Sequence, residues 1–277
     1  YVFGRLTHRY SDKSKDHYCI MKKCSLNDYE GDKGKYEYET IKQQLFIEEL
    51  KRYRVQTILI ENYPDLTLIL KEIEKRYNSH SVFISGSAID YGDFTTLEAH
   101  KFIHTLSKKL VERNLTVVNG FGLGVGSAVI NGALDAIYSN PKKYSEEQLV
   151  LKPFPQFKTG EKELGELWEE YRQKMISQCG ISIFVFGNKK GTETDIIEAN
   201  GVIREFEISR ENGNICIPIG ITGYATNTIY KMIASEPEKY YEQPELFVPI
   251  IDELADPKTT FEQAIKIIDK LLKQLKK

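Results

Sequence analysis

The sequence predicts an α/β fold in which a doubly wound parallel sheet follows a small α/β fragment. Apolar, β-branched segments alternate with segments of helical periodicity along the chain. Five of the apolar segments follow residue 80, and two of these run into loops of small residues before a helix. In a doubly wound sheet, such loops line the crevice at the carboxyl ends of the strands, where nucleotides bind.

The composition is that of a globular protein. The 277 residues are 41% hydrophobic and 28% charged, which is enough for one large core or two smaller ones. The net charge of -2 gives no overall field that would favour nucleic acid as a partner. No apolar segment approaches the roughly 20 residues of a membrane span, and we expect no signal peptide. We therefore expect a cytoplasmic protein with no membrane partner.

The cysteine and histidine patterns do not predict a metal site. The chain has four cysteines: Cys19, Cys24, Cys179 and Cys216. They form no CxxC pair, so we expect free, buried thiols in a reducing compartment. His100 and His104 are four residues apart, but HKFIH lacks the glutamate of HExxH, which favours a surface or packing role.

Residues 1–79 form a first block of alternating patterns. YVFGRLTHRY is typical of a helix end, HYCIMKK of a strand, and SLNDYEGDKGKYEYE of a polar excursion that contains glycine. Residues 40–53 predict a helix, VQTILIE predicts a second strand, and Pro64 begins a second helix. Two strands are too few to close a sheet well, so we interpret this block as the end of a larger domain. Because the first residue is Tyr1, we also expect a fragment or a processed product.

Residues 80–277 form a second block, which alternates strand and helix more regularly. The predicted strands lie in SVFISGSA, LTVVN, QLVLKPFPQF, GISIFVFG and GNICIPIG. Thr95 or Thr96 is suited to cap the helix after the first strand. Residues 160–178 predict an amphipathic helix, with Arg172 at the border of its apolar face. That face carries Leu164, Leu167, Trp168, Tyr171 and Met175.

The last third of this block contains three predicted helices and two predicted loops. The first two helices lie in GVIREFEISREN and ITGYATNTIYKMI, and the third covers residues 260–277. Thr259 and Glu262 have the spacing of a capping box before the third helix. The polar segments NKKGTETDIIEANG and EPEKYYEQPELF predict the loops.

Residues 115–137, LTVVNGFGLGVGSAVINGALDAI, combine a strand, a glycine loop and a helix. The glycines alternate along the loop: Gly120, Gly122, Gly124 and Gly126. This layout lets bare backbone N–H groups close on a phosphate at a helix N-terminus, where a Cβ would block the approach. A tight strand-to-helix turn that binds nothing explains the same pattern, so both interpretations stay open.

Further candidate residues are expected at the same edge of the sheet: Ser85, Gly86, Ser87, the loop 119–126, Arg172, Lys189, Lys190 and Glu205. Arginine binds phosphate as a bidentate fork and lysine as a point charge, whereas a carboxylate accepts hydrogen bonds from ribose hydroxyls. Together these residues predict a ligand with two or more phosphates and a sugar.

Each candidate side chain also has a simpler interpretation. Arg172 could lie on the solvated edge of its helix, and Lys189 and Lys190 could be solvated loop charges. Glu205 and Glu207 could pair with Arg204 at the surface. No serine lies in a GxSxG elbow and no Cys/His pair stands out, so no local pattern predicts a catalytic residue in this chain.

Several spaced motifs together resemble a SLOG domain, a Rossmann-like fold. In order they are FISGSAIDYGD, VVNGFGLGVGSAVINGALDAI, LKPFPQ, YRQKMISQCGISIFVFGNKKG and GVIREFEISRENG. The likeness is greatest to the C-terminal sensor half of the ThsA-like effectors of Thoeris antiphage defence. In the first block, DHYCIMKK and VQTILIENYPDLTLILKEIEK resemble the last part of the sirtuin-like NAD-hydrolysing domain of those effectors. The resemblance implies two domains, residues 1–79 and residues 80–277.

The resemblance implies a function in antiviral signalling. In that family a TIR-domain partner makes a cyclic ADP-ribose isomer, the SLOG domain binds it, and the homo-oligomer then reorganises. The sirtuin-like domain destroys NAD in response, so NAD is the substrate of the full-length protein. The catalytic asparagine and histidine of that domain have no counterpart in this sequence. We therefore expect this chain to bind the signal, to need no cofactor and to hydrolyse no NAD.

The resemblance also implies which residues contact the ligand. Arg172 in YRQKMI, Lys189 in FGNKK and Glu205 in REFE match the contacting positions of the family. The backbone segments that would face the pyrophosphate and ribose carry the remaining residues: Gly86, Ser87, Ala88, Asn119, Gly120, Gly122 and Gly124.

Two alternative functions share this fold class. A LOG-type nucleotide phosphoribohydrolase carries PGGxGTxxE after the fourth strand. The corresponding segment here, FGNKKGTETDIIE, keeps Gly191 and Thr192 but lacks PGG. A DprA-like binder of single-stranded DNA would need a basic stripe, and the near-neutral charge argues against one.

Overall fold

The computed structural model describes residues 17–158, 160–192 and 195–275. The chain divides into two compact units, Tyr1–Glu74 and Lys75–Lys277, which are described separately below. The helix end expected within residues 1–10 lies outside the described residues.

The first unit contains a two-stranded parallel sheet. Strands β1 (His17–Lys22) and β2 (Val55–Ile60) pair over their whole length, and helix α1 (Lys33–Arg52) connects them. Helix α2 (Asp65–Asn78) follows β2. Both predicted strands are confirmed, but α1 begins earlier than predicted. The reason is local, since the Asp32 side chain accepts the Lys35 N–H at 3.0 Å and caps a helix start rich in lysine and glycine.

The strands of the second unit are β3 (Ser81–Ser87), β4 (Thr116–Asn119), β5 (Leu149–Leu151), β6 (Ile181–Phe186), β7 (Asn188–Lys190), β8 (Ile196–Glu198) and β9 (Ile215–Pro218). Five of them form a parallel sheet in the order β5-β4-β3-β6-β9, and β7 and β8 form a separate hairpin. The chain builds the sheet outward from β3 in one direction and then, from β6, in the other. This order confirms the predicted doubly wound sheet and places a topological switch point between β3 and β6.

Helices cover both faces of this sheet. They are α3 (Thr96–Glu112), α4 (Gly126–Ser139), α5 (Leu164–Ile176), α6 (Asn200–Glu211), α7 (Tyr224–Ser235), α8 (Pro244–Ala255) and α9 (Phe261–Leu275). Val82 and Ile84 of β3 belong to one buried cluster, whereas Phe83 packs with Met175 and Ile176 of α5 in another. Alternate residues of one strand therefore serve opposite layers. No described helix is long and apolar enough to cross a bilayer.

Helix α8 was not predicted, because its start lies in the segment EPEKYYEQPELF that we expected to be a loop. Pro244 lies in the first turn of α8 and Pro249 lies inside it, which obscures the helical pattern in the sequence. The helix nevertheless buries Phe247, Ile251 and Leu254, which are spaced by four and three residues along one face.

The last helix begins at Phe261, one residue later than predicted. The Thr260 N–H donates to Gln263 Oε1 at 2.7 Å, and the Gln263 N–H donates to Thr260 Oγ1 at 3.2 Å. The expected capping pair of Thr259 and Glu262 is therefore wrong, since Thr259 Oγ1 instead donates to the Glu253 carbonyl at 2.7 Å. The cap before α3 is confirmed at Thr95, which pairs reciprocally with Glu98.

The cysteines differ in burial. All four are free, but only Cys179 and Cys216 are buried, and Cys19 and Cys24 are half-buried. Burial raises the pKa of the Cys179 and Cys216 thiols to about 12, which leaves both protonated and unreactive.

Candidate functional site

The candidate site lies at the carboxyl end of the sheet, where β3 and β6 run side by side. Gly86 pairs with Val185 and Ser87 pairs with Phe186 in this register. A Cβ on Gly86 would lie 2.4 Å from the Val185 carbonyl oxygen, so only glycine fits between the two strands. The loops that follow β3, β4 and β6 meet beyond this point.

The glycine loop after β4 packs directly on the loop after β3. A Cβ on Gly122 would lie 2.0 Å from the Gly86 carbonyl oxygen, and one on Gly124 would lie 1.9 Å from that of Ala88. The Ala88 N–H donates to the Leu123 carbonyl at 2.8 Å and ties the two loops together. Close packing of the protein backbone therefore accounts for these two glycines without a ligand.

The same loop still presents free backbone donors. Among the described residues, the N–H groups of Gly122, Leu123 and Gly124 donate no hydrogen bond to the protein. These groups precede helix α4, whose first residue is Gly126. A run of unpaired N–H groups before a helix can donate hydrogen bonds to a phosphate or carboxylate.

Asn119 supports the loop from below. It is buried, its Nδ2 donates to the Ile84 carbonyl at 2.8 Å, and its Oδ1 accepts the Phe121 N–H at 2.7 Å. The side chain is thus committed to holding β4 and the glycine loop against β3. Its contribution to a ligand site is to fix the shape of the loop.

Asn188 performs a similar task after β6, and sequence reasoning missed it. Its Oδ1 accepts the N–H groups of Ile89 and Asp90 at 2.8 and 3.1 Å, and its Nδ2 donates to the Asp90 carbonyl at 2.7 Å. Ser87 Oγ donates to the Asn188 carbonyl at 3.0 Å. An asparagine directly after a strand and a glycine is a typical turn signal, and it could have been used here.

The segment NKKGTETDIIEANG forms the antiparallel hairpin of β7 and β8, where we predicted an irregular loop. Its strands have only three residues each, too few for a periodic pattern. Lys189 and Lys190 are exposed on β7. The Gly191 N–H donates to the Asp195 carbonyl at 2.9 Å, so the Gly-Thr pair shared with LOG-type enzymes lies in the connection between the two hairpin strands.

A buried polar cluster links three elements beside the switch point. Ser85 Oγ of β3 donates to Glu205 Oε2 of α6 at 2.6 Å. Arg172 Nε of α5 lies 3.4 Å from Glu205 Oε1, a long hydrogen bond. The Arg172 and Glu205 side chains are 16% and 10% exposed. Arg172 therefore points toward the sheet and not toward the solvated edge of its helix.

The rest of the guanidinium has little protein to bind. Within the described residues, Arg172 Nη1 and Nη2 donate no hydrogen bond. A Cβ on Gly201 would lie 3.0 Å from Nη2, which places this group beside the first turn of α6. The N–H groups of Asn200 and Gly201 also lack an acceptor in the described part of the chain. A cation beside the positive end of a helix dipole favours an anion at the same place.

Phe154 connects this cluster to the glycine loop. The guanidinium carbon of Arg172 lies 5.1 Å from the centre of the Phe154 ring, and a Cβ on Gly120 would lie 2.8 Å from the same ring. Trp168 Nε1 donates to the Pro155 carbonyl at 2.7 Å and holds the segment of Phe154 on α5. Tyr171, which we assigned to the apolar face of α5, is exposed instead.

The sequence left open that Glu205 and Glu207 both pair with Arg204, but Glu207 alone of the two does so among the described residues. Arg204 Nη1 lies 2.8 Å from Glu207 Oε2, and Arg204 Nη2 lies 2.6 Å from Glu169 Oε1. Glu207 is thus part of a surface network, whereas Glu205 pairs with Arg172.

Glu205 carries the main electrostatic feature of the site. Burial raises the pKa of its carboxyl above the ordinary value, and the hydrogen bond from Ser85 and the charge of Arg172 oppose the shift. In the unfolded chain a glutamate has a pKa of about 4.3. The folded protein therefore loses stability from this group as the pH rises from that value through the folded pKa.

Glu205→Gln tests this effect. The amide keeps the shape of the side chain but carries no charge, so the variant does not lose stability in this way. We expect its free energy of unfolding to increase relative to the wild type as the pH rises from about 4.3 through the raised pKa of Glu205 in the folded protein. Urea denaturation at each pH measures the difference, and a difference that stays constant with pH would contradict the assignment.

Comparison with known proteins gives evidence on the family of this chain that does not depend on its structure. Residues 65–275 match STALD, the Sir2- and TIR-associating SLOG family. A protein named NAD(+) hydrolase ThsA from Bacillus cereus (strain MSX-D12) is 42% identical over 87% of this chain and 49% of its own length. Proteins of the same name from Cytobacillus dafuensis and Acinetobacter baumannii (strain 532279) are 40% and 34% identical over 87% and 93% of this chain.

This chain spans about half the length of the curated relatives that it matches, 49 to 55% in these three. The solved structure of TM1055 aligns with a TM-score of 0.42 at 17% identity, over 69% of this chain and 98% of its own. That likeness is too remote to bear on function.

Proposed function

Because the chain belongs to the Sir2- and TIR-associating SLOG family, we propose that the crevice beside β3 and β6 binds a cyclic ADP-ribose isomer. The binding would be the sensing step of a ThsA-type protein in Thoeris antiphage defence. Two findings support this proposal: the association with Sir2 and TIR in the family description, and relatives named NAD(+) hydrolase ThsA. In the full-length protein, the signal from a TIR-domain partner would activate hydrolysis of NAD.

The observation that carries the proposal is the state of Arg172. Its side chain is largely buried, yet one long contact to Glu205 is its sole hydrogen bond among the described residues. A guanidinium offers five donors, and leaving them unused at a partly buried position is costly. A diphosphate beside Nη1 and Nη2 would satisfy them as a bidentate, charge-assisted pair.

Other groups fit the remainder of such a ligand. The N–H groups of Asn200 and Gly201 supply further donors at the start of α6. The N–H groups of Gly122 to Gly124 supply donors on the glycine loop after β4. Lys189 on the hairpin is a second cation with an exposed side chain. In this proposal Gly86, Ser87 and Ala88 form the backbone floor of the site, while Glu205 orients Arg172 and accepts from a ribose hydroxyl when Arg172 turns to the phosphate.

The proposed signal acts through a change in assembly. We infer that the ligand draws the hairpin with Lys189 and helix α5 with Arg172 together over the glycine loop. A ligand can shift an oligomer only by its differential affinity for two states. The homo-oligomer, its reorganisation and the NAD-hydrolysing domain upstream of the sensor are parts of this proposal.

Calorimetric titration with a panel of nucleotides tests the proposal. We expect one cyclic ADP-ribose isomer to bind more tightly than linear ADP-ribose, NAD or AMP, since a cyclic ligand is already ordered before it binds. Binding of AMP alone, with release of its base, would instead indicate a LOG-type phosphoribohydrolase. Salt-dependent binding of single-stranded DNA without nucleotide binding would indicate a DNA-binding protein.

A further inference from the structure

Phe121, in the middle of the glycine loop, has an unusual backbone. Its φ is +60°, in the left-handed region that favours glycine and disfavours bulky side chains. Asn119 Oδ1 accepts the Phe121 N–H at 2.7 Å and fixes this conformation. Gly120 and Gly122 flank it, yet the position itself carries a large aromatic side chain. Strained residues of this kind concentrate at functional sites.

The Phe121 side chain is also exposed. It is 53% accessible to solvent, which places much of an aromatic ring in water. One edge of the ring is covered, because a Cβ on Gly126 would lie 2.9 Å from Phe121 Cδ2. Gly126 is the first residue of α4, so the ring rests on the start of that helix and the rest of its surface is open.

The position of Phe121 adjoins the groups that would hold the phosphates. Gly120, the preceding residue, contacts the Phe154 ring, and that ring stacks on the Arg172 guanidinium. Gly122, the following residue, contacts the backbone of Gly86. An open aromatic surface beside an anion-binding group is suited to a ligand that carries both a phosphate and a planar base.

We propose that Phe121 provides the surface on which the purine base of the ligand stacks. This inference rests on the proposed function, and it assigns the recognition of the base to a residue that neither charge nor hydrogen bonding would identify. Stacking of a base on an aromatic side chain contributes roughly 10-fold or more to affinity. The strain in the backbone of Phe121 is then the cost of presenting the ring at the edge of the phosphate site.

Phe121→Asn is the most informative variant. Asparagine adopts the left-handed conformation more readily than phenylalanine, so the loop should keep its shape while the ring is lost. We expect a melting temperature that does not fall and an affinity for the cyclic ADP-ribose isomer that drops by about 10-fold. Affinity for inorganic pyrophosphate, a probe without a base, should not change. Phe121→Trp keeps an aromatic ring at this position and should bind the nucleotide about as tightly as the wild type does.

Tyr138→Asn is the matched control. Tyr138 lies near the end of α4 and is 62% exposed, so the variant removes an exposed aromatic ring that has no part in the proposed site. Its truncation should change nucleotide affinity by less than about 2-fold, as expected of an exposed side chain outside the stack. Circular dichroism and size-exclusion chromatography of every variant report the fold and the oligomeric state.

The outcomes separate the two proposals. If the wild type binds no cyclic isomer, the proposed function and the stacking role both fail. If it binds one and Phe121→Asn binds equally well, the stacking role alone is wrong. If Phe121→Asn changes the oligomeric state and not the nucleotide affinity, the exposed ring belongs to a contact between subunits, which also overturns the stacking role.

Discussion

Arg172→Ala is expected to weaken binding of the cyclic ADP-ribose isomer by at least about 100-fold. A bidentate, charge-assisted contact to a diphosphate contributes about 3 kcal/mol or more, and each 1.4 kcal/mol corresponds to a factor of about ten. The guanidinium has its two terminal nitrogens free for this contact among the described residues. Titration calorimetry of wild type and variant measures the loss directly.

A second variant separates binding from folding. Arg172→Ala leaves the carboxyl of Glu205 buried with Ser85 as its remaining partner, so we expect a loss of stability of about 1–3 kcal/mol. The double variant Arg172→Ala/Glu205→Gln removes the unpaired charge and should recover most of this stability without recovering affinity. If affinity returned with stability, Arg172 would support the fold and not contact the ligand.

Gly124→Ala is expected to destabilise the second unit by about 3–5 kcal/mol. The new Cβ would lie 1.9 Å from the Ala88 carbonyl oxygen, and this neighbour is backbone that hydrogen bonds to the same loop. The positive φ of +72° adds strain of its own. Relief requires the two loops that flank the crevice to move apart, so nucleotide binding should be lost as well.

Gly213→Ala is the matched control for this prediction. Gly213 has a φ of +74°, but nothing lies within 4 Å of its Cβ position. The strain of the left-handed conformation should therefore be the sole cause of destabilisation in this variant, and it should lower the free energy of unfolding by about 1–2 kcal/mol. Urea denaturation of both variants gives the difference that is due to the contact between the loops. Equal losses would show that backbone strain, and not close packing, explains Gly124.

The sheet could be predicted from the sequence because its strands lie in short, continuous apolar segments. All six residues of β6 are buried, and the run ISIFVF is unambiguous. The hairpin of β7 and β8 was missed for the opposite reason, since its short strands are mostly exposed and carry no periodic signal. Helix α8 was missed because Pro244 and Pro249 interrupt a helical pattern that is otherwise clear.

The sequence was enough to propose candidate residues for the site, but it could not give their geometry. Helical periodicity placed Arg172 at the border of a face, and a border position is compatible with either solvent or protein. Contacts with Phe154 and Glu205 decide its direction, and they come from segments 18 and 33 residues away in the sequence. The glycine loop shows the same limit. The pattern indicated a phosphate site, whereas the structure shows that Gly122 and Gly124 are already required by the neighbouring loop.

A crystal structure of the chain with the cyclic ADP-ribose isomer tests the central claim most directly. The account predicts phosphate oxygens about 2.7–3.2 Å from the Arg172 guanidinium, beside the first turn of α6. A ligand bound away from the β3–β6 crevice, or bound there while Arg172 contacts only Glu205, would contradict it.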